Sequence, residues 1–413
     1  MTDDALDRPI DTGPATADRK RATLVLAPAL IAFSMGQTVL FAVAGPVMRD
    51  IGLTEFQLGM IVSAAALTFV LVSPIWGGLS DRLGRKTVIV FGLLTYGMTS
   101  LAFAGAMDVG LRGLLGAGTV FVSLLVIRVL YAVLGAGIQP ASIALMADLS
   151  EEDDRSSAVA IVGAAYGLGM ILGPASAAAL VGFGVLTPLY AIAVLGLICM
   201  VNAAIFLKSP APTRAEEAAS APLDYGRLAP ILVMAIALFS GVSGLQQTIA
   251  FYVQDYLGAD SARAAQMTSL CFVAMATASL LVQGGLIQML KPGPGLLLRV
   301  GIPTMLIGIM LYAFPLGFWQ LVVASTVIGA GFGMANPGII AAASLRAGRQ
   351  SQGAAAGLTQ AMMAAGYVVG PLAGTAAYEV SPTYSALFVG ACALFACVIA
   401  LGISHREAPL PAS

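Results

Sequence analysis

The sequence is poor in charge. Aspartate, glutamate, lysine and arginine make up only 10% of its 413 residues, and 59% are hydrophobic, whereas an average soluble domain is about 25% charged. A surface in contact with water needs more charge than this. The composition therefore indicates an integral membrane protein.

Side chains that serve metal binding and acid–base catalysis are also scarce. The one histidine, His405, lies near the C-terminus, which excludes a histidine-based metal site or proton relay within the membrane. The four cysteines lie in apolar runs without metal-motif or redox-motif spacing; they are Cys199, Cys271, Cys392 and Cys397. There is no P-loop, which argues against ATP-driven pumping. We expect no enzymatic activity, cofactor, metal site or nucleic-acid partner.

Long apolar runs, by contrast, occupy most of the chain. Twelve of them are long enough to cross a bilayer, which takes about 20 residues. Their limits are 23–47, 57–79, 87–107, 117–147, 157–185, 187–207, 228–257, 263–290, 295–315, 317–344, 352–379 and 382–404. Backbone within lipid must satisfy its own hydrogen bonds, so each run should be helical. The sequence predicts an all-α membrane protein of 12 transmembrane helices.

The distribution of positive charge predicts the orientation. Of the 20 lysines and arginines, only Arg49, Arg112 and Arg263 fall in connections on the side opposite the N-terminus, and only Arg128 lies within a span. Positive residues concentrate on the cytoplasmic side of membrane proteins. We therefore expect both termini in the cytoplasm. Residues 1–20 carry five aspartates and no apolar core, so they are interpreted as a disordered cytoplasmic tail rather than a signal peptide.

The spans divide into two halves that resemble each other. Residues 208–227 form the one long polar connection, a linker between a six-helix bundle at 21–207 and another at 228–404, with a short tail at 405–413. GGLSDRLG at 77–84 is echoed by GGLIQMLK at 284–291, and Gly173-Pro174 by Gly370-Pro371. A parallel repeat of six spans is the layout of transporters that rock two bundles about a central site.

The connection after span 2 is unusually charged. It holds Gly77, Asp81, Arg82, Gly84, Arg85 and Lys86 in the pattern G-x-x-x-D-R-x-G-R-K. This resembles the loop signature between spans 2 and 3 of the major facilitator superfamily, and the resemblance covers nearly the whole chain. It implies two six-helix bundles related by a pseudo-twofold axis. We interpret the loop as a latch that holds the cytoplasmic side shut, with Asp81 facing span 11 and the arginines reaching Asp148; a simple topology anchor is the alternative.

Two further features resemble the drug:proton antiporter branch of that superfamily. Arg128 lies in span 4, where the branch has a signature arginine, although Tyr131 stands where a glutamine is usual. A charge in this position indicates function, and snorkelling to the outer interface is the alternative. Span 5 carries Gly169, Gly173 and Pro174, resembling the antiporter signature. Ordinary close packing of helices would explain the glycines equally well.

Polar residues within the spans are candidates for substrate contact and coupling. They are Gln37, Arg128, Tyr131, Gln246, Gln247, Tyr252, Asn336 and Gln360. The rest of a cavity between these spans would be apolar, which suits amphiphilic organic molecules. All acidic residues fall in tails, loops or span ends, so no embedded proton carrier is evident. Asp255 and Glu379, near the outer face, are the candidates for that role.

Together these features predict a secondary transporter, acting as a monomer in a bacterial inner membrane. It should export drug-like or siderophore-like amphiphiles in exchange for protons by alternating access. Two other classes stay open. One is a proton-coupled or facilitative importer of an organic anion, with Arg128 as the partner of the anion. The other is a membrane enzyme or receptor of the same shape, which would lack an evident catalytic constellation.

Overall fold

The computed structural model describes residues 14–150, 155–208, 223–313, 317–347 and 351–403. Within these ranges the chain is helical and contains no strand. The helices are α1 (Pro14–Ile51), α2 (Glu55–Leu83), α3 (Arg85–Leu111), α4 (Ala117–Gly135), α5 (Ile138–Asp148), α6 (Arg155–Leu180), α7 (Thr187–Phe206), α8 (Tyr225–Leu257), α9 (Ser261–Leu281), α10 (Ile287–Leu290), α11 (Pro294–Ala313), α12 (Phe318–Ala347), α13 (Gln352–Val380) and α14 (Pro382–Ile403).

These helices correspond to the twelve predicted spans. Helices α4 and α5 together form span 4, and α9, a π-helical turn at Val282–Leu286 and α10 form span 8. Among the described residues, eleven spans are long and apolar enough to cross a membrane. The twelfth, α13, has the length, but glycine, threonine and tyrosine lower its hydropathy. The predicted fold class, an all-α membrane protein, is confirmed.

One predicted boundary is wrong. Helix α1 begins at Pro14, so residues 14–20 are helical instead of belonging to the tail. Proline suits the first turn of a helix because its φ is already fixed and its missing N–H is not needed there. Lys208 Nζ, at the end of α7, donates to Asp18 Oδ1 at 2.8 Å and ties this end of α1 to its bundle. Residues 1–13, 209–222 and 404–413, which include most of the predicted linker and the C-terminal tail, lie outside the described residues.

Span 4 is interrupted about two helical turns after its arginine. Pro140 has no N–H to donate to the carbonyl of Ala136, and the helix breaks at Ala136 and Gly137. The indole Nε1 of Trp76 donates to the carbonyl of Val133 at 2.6 Å. A side chain from α2 thus satisfies backbone that the break leaves without a helical partner.

The same helix pair forms the centre of each half. In the first half α6 packs on α1, and in the second α13 packs on α8. A Cβ at Gly169 would lie 2.8 Å from the Cβ of Ser34, and one at Gly366 would lie 2.6 Å from the Cβ of Phe239. Glycine is needed at both positions because the helix axes approach too closely for a side chain. The glycines of span 5 therefore pack helices in a way that the other half repeats.

Large apolar side chains cover the outside of the bundle. Exposed examples on different helices are Leu71, Val126, Ile198, Ile307 and Val398. Exposed apolar surface on this scale is unstable in water and marks contact with lipid. The chain is therefore a multi-pass membrane protein whose polar residues are reserved for its interior and its two ends.

Overpacking the contact between α6 and α1 should destabilise the protein. We expect Gly169→Ala to cost about 1–3 kcal/mol, because the new methyl would strike α1. The apparent melting temperature in detergent measures this. Gly163→Ala on the same helix is the matched control, since a Cβ there meets nothing within 4 Å, and alanine is the better helix former. Equal melting temperatures for the two variants would contradict this account of Gly169.

Candidate functional site

A cavity of about 350 Å³ lies between the two halves. Helices α1, α2, α4, α5 and α6 line it from the first half, and α8 and α13 from the second. The lining side chains are those of Phe33, Ser34, Gln37, Thr38, Phe41, Val62, Ala65, Ala66, Phe69, Val70, Arg128, Tyr131, Ala132, Gln139, Tyr166, Met170, Gln246, Ala364 and Tyr367. An apolar and aromatic wall with a few polar groups is typical of sites for small organic molecules.

Arg128 lies well inside span 4. It is 11 residues from the start of α4, or roughly 17 Å at 1.5 Å per residue, in a hydrocarbon core about 30 Å thick. Its Nη2 donates to Gln37 Oε1 at 2.9 Å, and its guanidinium lies 4.9 Å from the centre of the Tyr131 ring. Gln37 Nε2 in turn donates to the hydroxyl of Tyr131 at 2.7 Å. The arginine therefore faces the interior of the protein rather than snorkelling to the outer interface.

Arg128 and Tyr131 also line a second, much smaller cavity. Its volume is about 20 Å³, and Tyr96, Thr99 and Ser100 are among its other lining residues. A space of this size has room for a water molecule.

The structure brings half of the predicted substrate-contact residues together. Gln37, Arg128, Tyr131 and Gln246 line the large cavity. The other four, Gln247, Tyr252, Asn336 and Gln360, do not belong to its lining. Tyr252 instead donates to the carbonyl of Pro382 at 3.1 Å and packs against the ring of Tyr312, and Gln360 is exposed.

Five of the lining residues that the sequence analysis did not name are aromatic. Phe33, Phe41 and Phe69 line the cavity from α1 and α2, and Tyr166 and Tyr367 line it from α6 and α13. The tyrosines precede the Gly-Pro pairs of the two halves, so a search for polar residues near those pairs would have found them. The phenylalanines carry no such signal, because most apolar residues in these spans face lipid or core.

One end of the bundle is held by an ion-pair cluster centred on Arg49; we call it the Arg49 end. Arg49 Nε donates to Glu55 Oε1 at 2.8 Å within the first half. Its Nη1 and Nη2 donate to Asp255 Oδ1 and Oδ2 of the second half at 2.7 and 3.0 Å. Tyr378 donates to Asp255 Oδ2 at 2.7 Å, and the guanidinium lies 4.7 Å from the centre of the Phe251 ring. The cluster therefore joins the halves.

The two predicted proton carriers differ in their surroundings. Asp255 lies within this cluster and accepts three hydrogen bonds from the side chains of Arg49 and Tyr378. Glu379 is exposed at the end of α13, and no described residue makes an ion pair with it. Asp255 alone is placed where a change of charge would act on the contact between the halves.

The opposite end carries the charged connection between α2 and α3; we call it the Arg85 end. The predicted loop is reduced to Gly84 in the structure, because α2 runs to Leu83 and α3 begins at Arg85. Arg85 pairs with Asp81 of α2 and donates from Nε to Asp148 Oδ2 of α5 at 3.3 Å. Gly84 has a φ of 88°, a region that favours glycine, which explains the tight turn. Lys291, which replaces this glycine in the second half, also has a positive φ, 43°. Arg82 is exposed and, among the described residues, forms no ion pair.

The halves touch at the Arg49 end and separate toward the Arg85 end. Near the Arg49 end, a Cβ at Gly59 of α2 would lie 2.8 Å from the carbonyl of Pro371 in α13. Near the Arg85 end, Cβ atoms at Gly77 and Gly78 of α2 and at Gly353 and Gly357 of α13 would meet nothing within 4 Å. Asp81 is therefore held by Arg85 of its own half in this conformation, and α2 is clear of the start of α13.

These observations define a membrane transporter with a central cavity between two similar bundles. A family model described as the Major Facilitator Superfamily matches residues 26–316 and again 231–413. The chain belongs to the Major Facilitator Superfamily, a family of transporters.

Individual relatives match along most of their length. Multidrug resistance protein 2 of Bacillus subtilis (strain 168) is 25% identical over 401 residues, covering 94% of this chain and 95% of that protein. Quinolone resistance protein NorA of Staphylococcus aureus is 24% identical over 358 residues, covering 83% of this chain and 87% of that protein. A crystal structure of a bacterial homolog of the human lysosomal transporter Spinster, inward-facing and unoccupied, has a TM-score of 0.71 at 16% identity and covers 95% and 99% of the two chains.

Removing the charge of Asp255 should loosen the Arg49 end. The ion pair between Arg49 and Asp255 is partly exposed, so we take its stabilisation of the closed Arg49 end as roughly 1 kcal/mol. Losing it raises the fraction of molecules in which this end is open about fivefold. A cysteine introduced at Ala250, fully buried in α8 beside Gly45, reports the opening. In a background without the native cysteines, Asp255→Asn should speed labelling of Ala250→Cys by an impermeant maleimide about fivefold.

Two controls accompany this measurement. Ala193→Cys is equally buried but packs against α3 within the first half, so its labelling should stay unchanged. Glu379→Gln neutralises a nearby acid outside the cluster and should leave Ala250→Cys protected. Equal labelling of Ala250→Cys with and without Asp255→Asn would show that the cluster does not hold the halves together.

Proposed function

We propose that this protein exports small amphiphilic organic compounds, drug-like or siderophore-like, in exchange for protons by alternating access. The observation that carries the proposal is the cavity between the halves, lined by apolar and aromatic groups around Arg128 and in contact with both bundles. The two relatives, a multidrug resistance protein and a quinolone resistance protein, support export.

The proposed setting is a bacterial inner membrane with both termini in the cytoplasm. The Arg85 end then faces the cytoplasm, and the Arg49 end faces outward. In this orientation the described conformation is closed to the outside, and substrate enters the cavity from the cytoplasm between α2 and α13. The bundle of α1 to α7 and the bundle of α8 to α14, joined by the linker after Lys208, move as the two units of the cycle, and one copy of the chain suffices.

Asp255 is the proposed site of proton coupling. Arg49 has two carboxylate partners, Glu55 in its own half and Asp255 in the other. Protonation of Asp255 from outside would remove only the partner that joins the halves, while Glu55 keeps Arg49 neutralised. The outer end would then open and release the substrate. When the bundles return to the conformation described here, Asp255 would give up the proton toward the cytoplasmic side and pair with Arg49 again, which completes the exchange. Gln37, Arg128, Tyr131 and Gln246 are the proposed contacts for the substrate.

Everted membrane vesicles, in which the cytoplasmic face is outside, test export and coupling together. When the lumen is acidified by respiration, vesicles with the transporter should accumulate a fluorescent amphiphile, and nigericin should abolish accumulation by collapsing the pH gradient. Asp255→Asn should lower accumulation severalfold, whereas Glu379→Gln should not. Accumulation that persists with nigericin would contradict proton antiport, and acid-driven loss from preloaded vesicles would contradict export.

The charged loop is proposed to latch the cytoplasmic end in the opposite, outward-open conformation. Asp81 would then leave Arg85 and face the start of α13, where the helix dipole favours a negative charge. We expect Asp81→Asn to slow accumulation in the same vesicles without lowering the amount of protein in the membrane. Asp108→Asn, which removes another exposed ion pair of the i, i+4 type, is the control. Full activity of Asp81→Asn would rule out the latch.

A further inference from the structure

Arg128 is the one charged residue among the described side chains that line the central cavity. A guanidinium offers five N–H groups and no acceptor. One of them is satisfied by Gln37, and Nε is buried without a hydrogen-bond partner. A charge at this depth is costly unless a counter-charge or several acceptors compensate it. The ring of Tyr131 and the oxygen of Gln37 compensate it only in part.

Four acidic residues near the two ends of the bundle are paired with other arginines. Asp255 and Glu55 pair with Arg49 at one end of the bundle, and Asp81 and Asp148 pair with Arg85 at the other. No carboxylate belongs to the cavity lining, and no described carboxylate lies within ion-pair distance of Arg128. The missing negative charge must therefore come from whatever enters the cavity.

The remaining lining restricts what that molecule can be. The aromatic rings of Phe33, Phe41, Phe69, Tyr166 and Tyr367 offer faces for an apolar body. Across the cavity, on the second half, Gln246 has a buried Oε1 that lacks a hydrogen-bond donor. The volume of about 350 Å³ suits one aromatic molecule of drug size.

We infer that the cavity selects amphiphiles that carry one carboxylate on an aromatic body, and disfavours those whose only charge is positive. The planar carboxylate matches the fork of the guanidinium and takes two parallel hydrogen bonds from Arg128. A lone cation would instead meet an uncompensated positive charge in a medium of low dielectric constant. The inference specifies the substrate of the proposed exporter, and rests on that proposal only for the direction of transport.

A matched series of ligands tests this directly. Pyrenebutyric acid, its primary amide and pyrenebutylamine share one body and differ in charge at neutral pH. We would titrate each into the transporter in nanodiscs of zwitterionic lipid and subtract the heat from empty nanodiscs. The acid should bind more tightly than the amide by on the order of tenfold or more, as one charge-assisted pair predicts, and the amine should bind least.

Variants then test whether Arg128 is the source of the preference for the acid over the amide. Arg128→Gln should bring the acid down to the affinity of the amide, while Arg128→Lys should keep most of the difference. Gln139→Leu, which changes an uncharged polar residue of the same lining, should leave the ratio of acid to amide unchanged. An amine that binds as well as the acid in the wild type would overturn the inference without any variant. So would a preference for the acid that survives Arg128→Gln.

Transport of the same compounds separates this inference from the proposed function. If the acid binds through Arg128 but does not accumulate in energised everted vesicles, export fails and the selectivity of the cavity stands. Vesicles without the transporter correct for the passive trapping of the amine in the acidic lumen. If the transporter raises accumulation of the amine above that level and not accumulation of the acid, export stands and the selectivity inference is wrong.

Discussion

A positive charge held inside a membrane span without a carboxylate partner is the constraint on which this site depends. Removing a guanidinium from water is costly, and inside a protein the cost is offset only by acceptors, ring faces or an opposite charge. Gln37 supplies an acceptor and Tyr131 supplies a ring face. The opposite charge is left to a molecule that enters the cavity. In the proposed transport cycle, substrate and water would occupy the space beside Arg128 in turn. The guanidinium would then have a partner at each stage, which makes its charge tolerable.

The two ends of the bundle use arginine in a related way, with one difference. Arg49 holds one acid of its own half and one of the other half, Glu55 and Asp255, so its cluster joins the bundles. Arg85 holds Asp81 and Asp148, which both belong to its own half, so its cluster leaves the bundles apart. The ion pairs thus match the conformation, because the two bundles are in contact at the Arg49 end and separated at the Arg85 end. Each pair is weak because it is partly exposed, which suits contacts that must break in every cycle.

Much of the fold could be predicted because a bilayer constrains the backbone so strongly. The lengths of the apolar runs alone locate the twelve spans, and the sequence repeat of six spans indicates two halves. Arg128 was found because a charge within a span is conspicuous. Helix rotation could not be read from the sequence: Gln246 and Gln247 are neighbours about 100° apart on α8, and only Gln246 lines the cavity. The pairing of Arg49 with Asp255 joins residues 206 positions apart, so no local pattern reveals it. The first helix was placed too late because its charged first turns carry no apolar signal.

The movement of protons on addition of substrate tests the central claim, that substrate meets Arg128 in a proton-coupled cycle. Proteoliposomes with wild-type protein or Arg128→Ala, loaded with a pH-sensitive dye, would receive pyrenebutyric acid, and protein-free liposomes would correct for its passive entry. The account predicts a change in lumenal pH with the wild type and none with the variant. Labelled substrate that crosses the membrane without any pH change, or an equal change with both proteins, would contradict it.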